Sequence, residues 1–279
     1  MGELQWYFPA SLDEVPGILA REGVAPHGGG TGLLRAGLGQ LSGLMDLGRL
    51  GLDFARLERD AGGPKHDTVV LGAALTYTAA ASKVAEILKD PEHVLAQALR
   101  QAATTPLRNR ITLGGSLALA PYWSDLLGPL VALEAQVRQL GGRAGTFPVG
   151  EYVKDRGSRK GSLITEIAFP ALAFRGTYHR HTRTPTDRPM FTITVLRRAG
   201  PARVEDPRIV LSGSAGRFQR LGELEGRLAG RPAGKVDIAA ALEGIDLELP
   251  ARMGFSAEYL QAVARVELER ALAANLRGD

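Results

Sequence analysis

TTPLRNRITLGGSLALAPYWSDLL, residues 104–127, holds too many glycines and prolines for a helix interior and too many apolar residues for a floppy linker. Gly114 and Gly115 permit positive φ and close backbone approach, so consecutive N–H groups can point at one anion. Thr112 and Ser116 flank them with hydroxyl donors. Ser124 and Asp125 then read as the start of a helix, with Ser124 as its N-cap. Such a loop can hold a phosphate while Asp125 accepts hydrogen bonds from a ribose or another polyol. A tight turn between two buried strands accounts for the stretch equally well.

Upstream, Pro26-His27-Gly28-Gly29-Gly30-Thr31-Gly32-Leu33-Leu34 offers a second run of small residues with a hydroxyl. Neither cluster is a GxGxxG dinucleotide fingerprint, and neither carries the Lys-Ser/Thr pair of a P-loop. Two separate anion nests suit a pyrophosphate gripped from both sides.

The two loops together resemble those of the FAD-binding subunit of the molybdenum hydroxylases, the group that includes carbon monoxide dehydrogenase and xanthine dehydrogenase. Members carry P-L-A-G-G-T-D-L-L, in frame with Pro26 to Leu34, and I-R-N-x-x-T-I-G-G-N followed by S-D-L. The second pattern reads here as Leu107-Arg108-Asn109-Arg110-Ile111-Thr112-Leu113-Gly114-Gly115-Ser116, then Ser124-Asp125-Leu126. Leu163 to Pro170 looks like the family's L-I-T-E-V-x-I-P, and Tyr178 to Asp187 like its Y-x-K-x-x-R-x-x-x-D. Phe255 to Tyr259 is similar to A-S-A-E-Y. Three positions depart from the pattern: Gly32 replaces an acidic or polar residue, Ser116 a common Asn, and His179-Arg180 the usual lysine.

The resemblance implies an α+β protein. A two-part FAD-binding domain of the vanillyl-alcohol-oxidase/PCMH type would span residues 1–170, with subdomains of about 1–52 and 53–170. A smaller domain over 171–279 would pack an antiparallel sheet on helices. It implies non-covalent FAD, its diphosphate held by backbone N–H groups of Gly28, Gly29, Gly30, Thr31 and Gly32. Those of Thr112, Leu113, Gly114, Gly115 and Ser116, beside Asn109, would complete the grip. Asp125 would bind a ribose hydroxyl, Ile164 would contact the flavin end, and His179 or Arg180 would lie near the isoalloxazine ring. Partners would be a [2Fe–2S] small subunit and a molybdopterin-binding large subunit, with NAD⁺, oxygen or a quinone as acceptor. A stand-alone flavin oxidoreductase of related fold and a flavin-free scaffold subunit are the alternatives.

Composition agrees with that frame. The 279 residues are 44% apolar and 23% charged, ordinary for a globular protein with a sizeable core. There is no cysteine, which excludes disulfides, thiolate metal sites and a cysteine-ligated iron–sulfur cluster in this chain. The net charge of +4 favours anionic partners only mildly. No nucleic-acid motif accompanies the arginines between Arg175 and Arg208, which read as a solvated basic face. No apolar run approaches the ~18 residues of a membrane helix, and MGELQWYFPASLDEV lacks a secretory h-region, so a cytoplasmic protein is expected.

Along the chain, Ser11 and Glu14 have the form of a capping box on a helix ending at Gly23, although Pro16 fits poorly beyond a first turn. Val24-Ala25 and Leu44 to Leu52 read as strands, Val69 to Ala73 as a buried strand, and Thr78–Lys89 and Glu92–Ala103 as helices. Asp125–Ala135 reads as a helix and Gln136–Leu140 as a strand. Leu163–Pro170, Phe191–Val195 and Arg208–Ser212 read as strands, and Arg217–Leu228 as a helix. The last helix, Ser256–Leu276, is capped by Ser256 and puts Leu260, Val263, Val266 and Leu272 on one stripe.

Side chains for proton transfer are scarce. His179-x-His181 shares one face of a strand but lacks a third metal ligand. His27 sits in the first glycine loop, beside a cofactor or facing solvent. No G-x-S-x-G elbow occurs, and Gly213 to Gly216 is a turn. Cofactor-binding signals without catalytic or metal-ligating residues suit a subunit whose flavin carries the redox chemistry.

Overall fold

A computed structural model describes residues 4–63, 66–155, 157–200 and 202–277. The N-terminal unit comprises β1 (Gln5–Tyr7), α1 (Val15–Leu19), β2 (Val24–His27), α2 (Thr31–Ala36) and β3 (Gly43–Asp46), with a parallel sheet ordered β1-β3-β2. Ser11 makes no side-chain cap, and Glu14 accepts from the Ala10 N–H at 3.1 Å rather than from that of Ser11, so the expected box does not form. A short 3₁₀ turn precedes α1, which leaves Pro16 in the first helical turn, where its missing N–H costs nothing. The helix stops at Leu19, and Gly23 (φ 74°) serves the turn into β2 instead.

Next come β4 (Ala55–Glu58), β5 (Thr68–Gly72), α3 (Tyr77–Leu88), α4 (Val94–Gln101), α5 (Thr105–Arg108), α6 (Leu113–Leu119) and α7 (Leu127–Ala132). β6 (Gln136–Gly141), β7 (Gly145–Pro148), α8 (Val149–Lys154) and β8 (Ser162–Pro170) complete an antiparallel sheet ordered β4-β5-β8-β6-β7. The largest core lies between this sheet and helices α3, α4, α6 and α7. The expected helix at Asp125 is shorter, because Leu126 rather than Ser124 holds the N-cap position and makes no side-chain cap.

The remainder holds β9 (Phe174–His181), β10 (Phe191–Arg198), β11 (Arg208–Ser212), β12 (Phe218–Arg220), α9 (Gly222–Leu228), α10 (Ile238–Leu242) and α11 (Ala257–Arg277). Its antiparallel sheet is ordered β12-β11-β10-β9. The helix expected from Arg217 begins only at Gly222, because Phe218–Arg220 pairs with β11. Phe191 to Val195 alternates in polarity but not in burial: Phe191, Ile193 and Val195 join the core with α11, while Thr192 and Thr194 are buried on the other face. There the Cβ missing from Gly128 of α7 would lie 2.9 Å from both Thr194 Oγ1 and Ser212 Oγ, so a glycine lets that helix settle on the hydroxyls. Ser256 caps α11 as expected, accepting from the Tyr259 N–H at 3.2 Å. Leu260 and Leu272 are buried but Val266 is not, because the stripe runs through Ala264 and Leu268.

His93, just before α4, stacks on Phe169 (ring centroids 5.9 Å apart), and neither of its ring nitrogens has a hydrogen-bond partner. Burial pushes its pKa down to about 4. The folded protein therefore holds the ring neutral where the unfolded chain protonates it, and stability falls as pH drops from about 6.5 towards 4. A shift of this size corresponds to about 3 kcal/mol lost over that window. In urea denaturation, His93→Leu is expected to flatten the pH dependence by about that amount; an unchanged slope between pH 7 and pH 4 contradicts it.

Candidate functional site

The first glycine loop leaves β2 after His27 and enters α2 through Gly30, which is left-handed at φ 76°. Among the described residues, the N–H groups of Gly28 to Gly32 meet no acceptor. Five adjacent unpaired donors form a concave nest suited to an anion. The loop lies directly on the second one. A Cβ at Gly29 would fall 1.5 Å from the Arg110 carbonyl oxygen, and the Arg110 guanidinium donates to the Gly29 carbonyl at 3.0 and 3.2 Å. A Cβ at Gly28 would stand 3.3 Å from Thr112 Oγ1.

The second loop is built differently from the expectation. Gly114 and Gly115 are helical, in the first turn of α6, and neither has positive φ. Their amides are already used: Leu113 N–H donates to Leu75 O (3.0 Å), Gly114 to Ala73 O (2.8 Å), Gly115 to Thr112 Oγ1 (3.2 Å) and Ser116 to Thr112 O (3.0 Å). Backbone N–H groups from Leu113 to Ser116 are thus satisfied within the chain. Gly114 is small for another reason, since its Cβ would sit 2.7 Å from that of Ala73, where α6 butts against the end of β5. What this loop offers the cleft is side-chain hydroxyls, those of Thr112 and Ser116.

Three adjoining hollows open around the loops. One, of about 220 Å³, runs between Gly28–Gly32 and Thr112–Ser116 towards Pro26, Leu163 and Ile164. The next, of about 270 Å³, is bounded by Trp123, Asp125, Arg180 and Asp187, and shares Thr31, Gly32 and Ser116 with the first. A more open one of about 420 Å³ lies on the far side of Gly28 and Gly29, against His27, Asn109 and Arg110. The first two form an elongated cleft pinched where the loops meet, a shape that fits a dinucleotide with its diphosphate at the waist.

Asp125 is buried, and its Oδ1 accepts from the Tyr178 hydroxyl at 2.8 Å and from Arg180 Nε at 2.6 Å. Arg180 also donates to the carbonyls of Pro185 (2.9 Å) and Asp187 (2.5 Å), tying β9 to the loop after it. Burial pushes the Asp125 carboxyl up and the guanidinium pulls it back down. This carboxylate is first a structural anchor, and only its remaining face is available to a polyol. Ile164 lines the first hollow and Arg180 the second, so the cleft separates the two residues expected at the flavin. Asn109 accepts from the Thr78 hydroxyl at 2.7 Å and faces the far-side hollow.

His179 turns away from the cleft, its Nε2 lying 3.4 Å from Glu267 of α11, because neighbours on β9 face opposite ways. His181 stacks on Phe191 (ring centroids 4.8 Å apart). Among the described residues, no three His, Asp or Glu side chains are grouped to hold a metal. His27 is half-buried beside Trp6 and Asp46. The arginines read as a solvated face are largely structural, with Arg180, Arg197 and Arg208 buried and hydrogen-bonded within the chain. Among the described residues, no helix is long and apolar enough to cross a membrane.

Two contributors escaped the sequence reading: Tyr77, whose hydroxyl reaches Ser116 at 2.8 Å, and Trp123, which faces the guanidiniums of Arg35 and Arg188 at 4.8 and 4.7 Å. No local pattern marks Tyr77, which follows a helix N-cap and meets its partner 39 residues on. Trp123 stood inside the quoted stretch, and an aromatic beside Ser124-Asp125 was the available signal.

Comparison with known proteins adds independent findings. The family described as "FAD binding domain in molybdopterin dehydrogenase" matches residues 2–172. The nicotine 6-hydroxylase medium subunit of Paenarthrobacter nicotinovorans is 28% identical over 281 residues, covering 96% of each chain. Among solved structures, a chain of carbon monoxide dehydrogenase from Hydrogenophaga pseudoflava superposes with a TM-score of 0.85 at 25% identity, covering 98% of this chain and 97% of that one. A chain of quinoline 2-oxidoreductase from Pseudomonas putida 86 superposes at 0.83 with 21% identity, covering 99% and 98%, a likeness of fold.

Proposed function

The chain belongs to the FAD-binding domain family of molybdopterin dehydrogenases, and from that premise we propose that it is the flavoprotein subunit of a heteromeric molybdenum hydroxylase. One observation carries the reading: the unpaired amides of Gly28 to Gly32 face the hydroxyls of Thr112 and Ser116 across the waist of an elongated cleft. The first loop supplies backbone donors to the diphosphate and the second supplies hydroxyls. The two sides thus bind by different chemistry.

Bound there, FAD would supply the electron-transfer chemistry between two redox partners. The chain's own residues bind and orient it. Pro26, Leu163 and Ile164 suit the flat, apolar adenine in the first hollow. Arg180 and Asp125 suit the isoalloxazine and ribityl end in the second, where a fixed guanidinium favours the negative charge of reduced flavin. This reading puts Ile164 at the adenine end rather than at the expected flavin end, and takes Arg180 rather than His179 as the basic residue near the ring. Gly32 has a packing cause of its own, since a Cβ there would lie 2.0 Å from Leu119 Cδ1.

A chain without cysteine cannot hold the [2Fe–2S] clusters of such a complex, so a small subunit would carry them and a large subunit the molybdopterin. NAD⁺, oxygen or a quinone would take the electrons in the cytoplasm. Two measurements test this. Boiling the purified protein should release about one flavin per chain; a colourless protein that refuses added FAD would instead be a scaffold. Affinity purification should bring down an iron–sulfur chain and a molybdenum-containing chain, and a flavin-loaded chain isolated alone would be a stand-alone oxidoreductase.

A further inference from the structure

The backbone donors of Leu113 to Ser116 are already used within the chain, which leaves the hydroxyl groups of Thr112 and Ser116 as the side-chain donors that this loop offers a diphosphate. Thr112 Oγ1 accepts the Gly115 N–H, so its own proton is free to be donated. Ser116 presents the same situation through a different partner. Its hydroxyl is nine-tenths buried at the waist, lining both halves of the cleft. It accepts from the Tyr77 hydroxyl at 2.8 Å.

From this arrangement we infer that Tyr77 is a positioning residue for the cofactor: by donating into Ser116 Oγ, it fixes the serine hydroxyl as a donor aimed at the FAD diphosphate. A lone serine hydroxyl rotates among three staggered settings. With one lone pair engaged by the phenol, the serine proton has only the cleft to enter, and it is polarised by the bond it receives. Tyr77 itself is fixed. It begins α3, and its ring is buried in the main core. Burial also raises its pKa far above any working pH, so it remains a neutral donor throughout. Tyr77 and Ser116 thus form a pair of linked hydroxyls at the waist, which directs the Ser116 proton.

The inference rests on FAD occupying this cleft, and the test separates the two ideas. FAD, ADP and riboflavin are titrated against the full chain and its Tyr77→Phe, Ser116→Ala and double variants, with folding checked by circular dichroism. Tyr77→Phe is expected to weaken FAD and ADP about tenfold, as for a lost charge-assisted hydrogen bond, while riboflavin, which has no phosphate, is unaffected. In the Ser116→Ala background Tyr77→Phe should have no further effect. The inference is overturned if Tyr77→Phe binds FAD as well as or better than the parent, if its loss persists without the Ser116 hydroxyl, or if riboflavin weakens equally. Should Tyr77→Phe not fold, Ser116→Ala alone decides: a loss confined to FAD and ADP supports the donor, and undiminished binding refutes it. A parent chain that binds none of the three overturns the flavoprotein reading instead.

Discussion

Gly29→Ala is expected to abolish FAD retention and destabilise the fold by about 3 kcal/mol, near the top of the range for overpacking. The added methyl would fall 1.5 Å from the Arg110 carbonyl oxygen, and that atom is backbone, unable to swing aside. One loop must lift off the other. That move would also break the Arg110 hydrogen bonds to the Gly29 carbonyl and open the waist where amides and hydroxyls face one another. Gly28→Ala is the control, since its methyl meets Thr112 at 3.3 Å and a shift of a few tenths of an ångström relieves it. Urea denaturation and the 450 nm absorbance of the purified proteins measure both effects. Equal flavin content in Gly29→Ala and the parent would mean that the loops need not touch to bind the cofactor.

The second large effect is expected at Arg180. Truncation to alanine leaves the buried Asp125 carboxylate without its cation, and breaking one partner of such a pair costs about 3–5 kcal/mol. Tyr178 still donates to the same oxygen, which favours the lower end of that range. The loss should depend on pH. Burial already holds the folded Asp125 pKa above its unfolded value, and without Arg180 only the Tyr178 and backbone hydrogen bonds oppose it, so the pKa rises further. The folded variant then binds more protons than the unfolded chain, so its deficit shrinks as the solution is acidified towards the carboxylate range. Asp125→Asn with Arg180→Met removes both charges and should recover much of the stability but not the flavin affinity. A deficit in Arg180→Ala that stays constant from pH 8 to pH 5 would show that Asp125 does not depend on this cation.

Local sequence was most reliable where a residue's role lay in its neighbours along the chain. Ser256 capping α11 and the small-residue turn at Gly28–Gly32 each depend on neighbours within a few residues, and both were legible, as was the strand at Leu163–Pro170 from its alternation. Gly114 and Gly115 were expected to allow both positive φ and close approach, and the sequence could not say which is used, because a glycine looks the same whether it frees φ or admits a neighbour. Only the arrival of Ala73 at 2.7 Å shows that the second is true. Phe218–Arg220 read as helix because the β11 edge that recruits it as a strand lies several residues away, across a turn.

The sequence by itself determined the family, the two-loop cleft and the need for another chain to carry any iron–sulfur cluster, because each follows from residue types in order. Tertiary structure alone decided which donors are free. Whether the amide of Gly114 or the hydroxyl of Ser116 is left for a ligand depends on an acceptor from Ala73 and a donor from Tyr77, brought there by the packing of β5 and α3. The same long-range accounting shows Asp125 to be a buried anchor as well as a candidate ribose ligand. Its partners, Tyr178 and Arg180, lie more than fifty residues further along the chain.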